Sequence, residues 1–307
     1  MWQNNQINKS LITEINNLNS KFFSDIKSSK IEDIKATLAP ELQKTLGLNL
    51  SGMVDQMTGI LNKDSLSKLD EFYICNPEAN AINTLSSNSI KDSDYTLKYK
   101  SINKETYICL FLSSGTPTRV LITIVYGKYK NGWKINILNF GQYSLFGKNA
   151  PEYYQIAQYY LNQNELYNAF EKINACMICL HPSKNIFQYK VEPSILELNN
   201  LITTKIKETY QFPIVISEIP SKPKIFEIYP YSIPEGFYPM VQYLSTIQIT
   251  DTIALAKENQ AIQNILPGLF PGINRDKKYI FYSAYNEFPE PHKETLHYGF
   301  IQDIPEK

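Results

Sequence analysis

Residues 118–140, TRVLITIVYGKYKNGWKINILNF, constrain the fold more than any other stretch of the chain. Val120, Ile122, Ile124 and Tyr126 alternate with Leu121, Thr123 and Val125, the period of two that sends successive strand side chains to opposite faces. Asn131-Gly132 supplies two residues that tolerate positive φ, so a tight hairpin is predicted there, and Trp133, Ile135 and Ile137 resume the alternation. The stretch specifies a long antiparallel strand pair. It names no chemistry.

The segments in front of it read as helices. Leu11, Ile15, Leu18, Phe22 and Ile26 recur at steps of three and four, one face of an amphipathic helix. Ser29 can cap a short second helix that starts with Glu32 and Asp33 and ends near Pro40. A third helix is expected over 41–61, its continuity weakened by Gly47, Gly52 and Gly59. Strands follow at 71–75, 94–101, 105–113, 118–128 and 132–141, with a polar loop over 76–93 and a turn at Thr116-Pro117.

At 307 residues the chain is long enough for two or three domains, and its 43% hydrophobic content can fill ordinary cores. A net charge of zero argues against nucleic acid or an anionic membrane as partner. Only Arg119 and Arg275 among 30 basic residues can offer the planar fork that grips phosphate or carboxylate. No apolar run approaches the ~20 residues of a membrane span, so no transmembrane segment is expected. Location stays open between two readings. The protein is cytoplasmic if Met1 is the native start; it is periplasmic or at the cell surface if a signal was removed ahead of a polar Gln3–Gln6 tether. The four cysteines suit either compartment.

Element order and the Tyr-Lys-Asn-Gly-Trp-Lys-Ile ending of residues 129–135 carry a family resemblance. Residues 10–147 resemble the nuclear transport factor 2-like superfamily of α+β cones, in which three helices pack into a curved sheet around a pocket. The resemblance implies either isomerase or dehydratase chemistry in that pocket, or binding and dimerisation alone. An open cone is expected to be lined by Phe23, Met53, Met57 and Trp133.

Behind the cone, Pro151 suits a helix start, and Tyr153, Ala157, Tyr160, Ala169, Ile173 and Pro182 fall near the spacing of one tetratricopeptide repeat. A further helix over 194–209 carries Ile195, Leu198, Ile202 and Ile206 in register. One repeat cannot bury its own face, so Tyr153, Tyr160 and Phe170 are expected to contact residues outside 150–210. Prolines then punctuate extended segments at 224–229 and 237–248, a helix runs from Thr250 or Asp251 to Leu266, and strands at 277–285 and 294–302 finish the chain. The predicted class is α+β: a cone domain at 1–147, a helical hairpin at 150–209, and a small C-terminal α+β domain at 210–307 with a mainly antiparallel sheet. The whole chain also resembles uncharacterised multi-domain proteins of Bacteroidetes, which implies no activity.

Candidate chemistry is thin. Cys176-x-x-Cys179 with His181 lacks a second ligand pair for structural zinc and lies within a predicted helix, so the thiols are expected in a helix seam. Cys75 and Cys109 each end a Tyr-Ile-Cys strand and are expected to be two buried free thiols, or to face each other across the sheet as a disulfide if the protein is exported. For acid–base work the first helix offers Phe22 and Phe23 but no tyrosine, the inner strand positions offer no obvious acid, and Asp55 is as well placed for solvent. Glu258, Glu287, His292 and His297 form the one cluster of acids and histidines read in the C-terminal domain, with Glu287 in an exposed loop. No cofactor, metal or catalytic residue is assigned. The reading is a non-enzymatic binding or assembly protein with a small-molecule or peptide pocket in the cone. The alternatives are a lyase or isomerase acting in the cone, and an exported membrane-anchored lipoprotein.

Overall fold

The computed structural model describes residues 1–87, 93–290 and 294–305. Residues 88–92 of the predicted polar loop, and His292, lie outside the described residues. The chain divides into two compact units: Met1–Glu152 with Met177–Glu192, and Tyr153–Cys176 with Pro193–Lys307.

In the first unit, β1 (Trp2–Gln3) precedes α1 (Lys9–Lys27), α2 (Ile31–Thr37), α3 (Pro40–Leu46) and α4 (Leu50–Lys63). The Asn8 side chain caps α1 by accepting from the Ser10 N–H at 2.9 Å. The expected third helix is two helices. Gly47 at φ +44° ends α3, a left-handed conformation that favours glycine, and a 3-10 turn restarts the chain into α4.

The strands are β2 (Ser65–Cys75), β3 (Ile82–Ser86), β4 (Tyr95–Lys100), β5 (Glu105–Ser114), β6 (Arg119–Tyr129), β7 (Gly132–Leu145), β8 (Lys148–Asn149) and β9 (Phe187–Tyr189). A curled antiparallel sheet runs β1-β2-β5-β6-β7-β8, and a smaller one runs β3-β4-β9. Both faces of the sheet are buried at its central strands β5 and β6, which is why β5 is apolar at consecutive positions rather than alternate ones. Tyr107, Cys109, Ile122, Ile124, Tyr126 and Ile135 meet Ile15, Phe22, Ile26, Val54 and Met57 of the helices. Ile108, Leu110, Leu121 and Val125 line the opposite face. There Gly141 lets the chain approach closely: a Cβ on it would stand 2.7 Å from the Pro182 carbonyl oxygen.

The second unit takes α5 (Ala150–Asn162) from Tyr153, α6 (Leu166–Ile178) to Cys176, and α7 (Glu192–Thr209) from Pro193. Its sheet orders β10 (Ile214–Val215), β11 (Lys224–Ile233), β12 (Gly236–Leu244), β13 (Tyr279–Tyr285) and β14 (His297–Asp303) in sequence. All pairs are antiparallel except β12 with β13, which are parallel because α8 (Thr252–Leu269) crosses between them. Asp251 caps α8 through the Ala254 N–H at 3.0 Å, and the helix runs past Pro267 to bury Leu266 against the sheet. The helical hairpin does reach outside 150–210: Tyr167 sits in the core with Val241 and Tyr282, and the Tyr160 hydroxyl donates to Asp276 at 2.8 Å.

Candidate functional site

The cone interior is occupied by side chains. Phe22, Ile26, Met57 and Tyr107 have no exposed surface, and Trp133 closes one end edge-on to Tyr107 with ring centroids 6.5 Å apart. Of the four residues expected to line a pocket, Met57 is core, and Phe23 and Met53 are half-buried against that core. Trp133 is also a buried member of that core, 6% exposed, and its edge borders a cleft of about 410 Å³. The cleft lies where α1 and α2 meet the β6–β7 hairpin, with Leu18 and Trp133 as apolar lining, Phe22 buried behind them, and Glu14, Lys21, Asp33 and Lys134 as charged lining.

The sequence forms this cleft through its hairpin. Gly132 at φ +112° supplies the turn residue, and Trp133 follows on the helix-facing side of β7. The Lys128 ammonium lies 4.8 Å over the Trp133 ring and 3.3 Å from the Glu14 carboxylate, holding the indole by cation–π attraction. The indole Nε1 is buried and has no hydrogen-bond partner among the described residues. Lys21 pairs with Asp25 at 2.6 Å, and that hydrogen bond raises the ammonium's pKa above its ordinary value.

A second constellation sits in the same helix–sheet layer. The Glu71 carboxylate is buried, and its Oε2 accepts from the Tyr107 hydroxyl at 2.7 Å and the Lys68 ammonium at 2.6 Å. Lys68 also donates to Asn16 of α1 at 3.0 Å. Alternation places residues three apart on opposite faces, so Lys68 and Glu71 face the helices together only because β2 bulges between Lys68 and Asp70. Sequence reasoning missed Glu71 for that reason. The one available signal was Tyr73 and Cys75 running out of phase with Lys68. Burial, then the Glu71 hydrogen bond and charge, push the Tyr107 hydroxyl pKa far up, which suits a donor and not a base. Beside it, Tyr126 donates to Asn19 Oδ1 at 2.8 Å, and Asn19 Nδ2 donates to the Cys109 sulfur at 3.4 Å.

The other sequence candidates separate. Cys75 pairs with Glu105 and Cys109 with Glu71, so the two thiols are not opposite each other; Cys75 is exposed and Cys109 buried. Cys176 and Cys179 are each buried, and α6 ends at Ile178, so Cys179 follows the helix. Asp55 is exposed on α4. Glu258 is buried on α8 and accepts from Ser221, Glu287 is exposed, and His297 stacks on Tyr285 at 5.2 Å. Among the described residues, no three His, Cys, Asp or Glu side chains gather as a metal site requires.

The second unit holds one further charged group. Glu171, with no exposed surface, receives Lys277 at 2.6 and 2.7 Å and Lys172 at 2.6 Å, while buried Glu165 pairs with Arg275 at 2.7 Å. Burial lowers the Lys277 pKa, and Glu171 opposes that shift. An open pocket of about 650 Å³ at 272–278 borders these residues, but the charges are spent on one another. They tie α6 to the turn before β13. No helix among the described residues is long and apolar enough to cross a membrane. Comparison with family models, curated proteins and solved structures finds no match for the chain.

Proposed function

We propose that the protein is a non-enzymatic binding or assembly protein whose small-molecule or peptide site is the Trp133 cleft at the mouth of the cone. The observation that carries this reading is the filled interior. Phe22, Ile26, Met57 and Tyr107 leave no surface for a reacting molecule, while the cleft beside Trp133 stays open. The edge of a largely buried indole, the Leu18 side chain and charges of both signs suit a small ligand with an apolar body and polar ends. The test uses Trp2→Phe, which leaves Trp133 as the sole tryptophan, titrated with a fragment library and read by fluorescence. Saturable changes that vanish on Lys134→Glu with Lys21→Glu support the reading. A library that leaves Trp133 unmoved contradicts it.

A lyase or isomerase is the second reading, and Glu71 with Tyr107 favours it, since a carboxylate beside a tyrosine inside the cone is an acid–base pairing. Against it, both groups are buried and bonded to each other, and the same Glu71 oxygen also accepts from Lys68. Loss of a measured turnover in Glu71→Gln, with the unfolding midpoint unchanged, would establish this second reading over the first.

A further inference from the structure

The two edges of the C-terminal sheet are built differently. On one side β10 is two residues long, too short to template another strand. On the other, β14 is seven residues in unbroken register with β13, from Tyr279↔Asp303 to Tyr285↔His297. It contains no lysine, proline or bulge, the devices that keep an edge strand from pairing. Among the described residues no strand lies on its far side. Leu296 is 79% exposed and Ile301 63% exposed, beside exposed His297 and Gly299.

The direction of its backbone groups follows from one bond. The Ile304 N–H donates to the Lys278 carbonyl, so the alternate residues 302, 300 and 298 also turn their amides toward β13. His297, Gly299, Ile301 and Asp303 therefore turn theirs outward. The side chains divide the same way: Phe300 packs into the core and Tyr282 donates to Gln302 at 2.6 Å, which puts 297, 299, 301 and 303 on the face away from α8.

This pattern is its own complement. A two-fold axis at Phe300 sets Gly299 against Ile301 and His297 against Asp303 of a second strand, all four with outward backbone groups and on one face. Each such pair can exchange both of its N–H···O bonds, and an imidazole falls opposite a carboxylate at both ends. We infer that β14 is a homodimer interface, pairing antiparallel with β14 of a second copy of this chain and joining two five-stranded sheets into one. A partner strand of different sequence would leave the His297–Asp303 match unused. The inference rests on β14 alone, so a ligand found in or absent from the cone leaves it standing.

The experiment is sedimentation equilibrium of the full chain, with amide hydrogen exchange at low and high protein concentration. The wild type is expected to dimerise by about 100 µM, with the Gly299 and Ile301 amides gaining protection as concentration rises while Phe300 is protected throughout. Ile301→Pro removes an outward N–H and no bond to β13; Ile301→Lys puts like charges across the two-fold. Each should weaken dimerisation at least ~10-fold. Circular dichroism at a concentration where the wild type is monomeric checks that both variants fold. A wild type that stays monomeric, a dimer unaffected by both variants, or a dimer in which Gly299 and Ile301 gain no protection overturns the inference.

Discussion

The Lys277 ammonium lies 2.6 and 2.7 Å from the two carboxylate oxygens of Glu171, and both side chains are buried. Removing one partner of such a pair strands the other charge, whereas replacing both with apolar groups removes the problem. Glu171→Leu, which leaves buried Lys277 without its carboxylate, is therefore expected to destabilise by about 3–5 kcal/mol, and Glu171→Leu with Lys277→Met by less than that. Urea unfolding of the single and double variants measures the difference. A double variant as damaged as the single would mean that the ion pair itself, not the stranded charge, holds α6 to the turn.

The thiols predict an alkaline limit to stability. Burial pushes Cys109 and Cys179 up to about 12, from an ordinary value near 9.0. A raised folded value means that the native state keeps protons the unfolded state has lost. This stabilisation is complete below pH ~9 and is lost as pH rises through that window toward ~12. The unfolding midpoint should fall between pH 8 and 10.5, and less steeply in Cys109→Ala. Exposed Cys75 should react with a disulfide reagent at once while Cys109 stays protected. Equal reaction of the two would contradict the burial of Cys109.

Gly141 is a close-approach position. Because the nearest atoms to an added Cβ belong to the Pro182 backbone, at 2.7 and 3.2 Å, no side-chain rotation relieves the clash. Gly141→Ala should cost about 1–3 kcal/mol, whereas Gly52→Ala, with open space around it, should be neutral or stabilising. Thermal unfolding distinguishes them, and equal midpoints would contradict the packing of 181–190 over β7.

What the sequence disclosed was whatever depends on local period. Ile15, Phe22 and Ile26 are buried on α1 as their spacing required, and a tight hairpin joins β6 to β7 one residue earlier than predicted, with Lys130-Asn131 as its loop and Gly132 opening β7 opposite Tyr129. The partners of Cys75 and Cys109 were hidden because register is set by the whole ladder, where Cys75 stands four residues from the position that would meet Cys109. Glu71 was hidden by a bulge that no composition marks. β9 was hidden because three residues, Phe187–Tyr189, form a strand only through long-range pairing with β4. Trp133 was legible as a hydrophobic hairpin residue, but the cleft beside it depends on α1 and α2 arriving there.

The filled cone with an open mouth is the claim on which the functional account rests. One two-dimensional NMR titration reads both parts together, following the Met57 methyl inside the cone and the Trp133 indole N–H at the cleft. The account predicts that fragments shift the Trp133 indole signal at the cleft and leave the Met57 methyl in place. Fragments that shift the Met57 methyl, with or without Trp133, would place ligand inside the cone and contradict it.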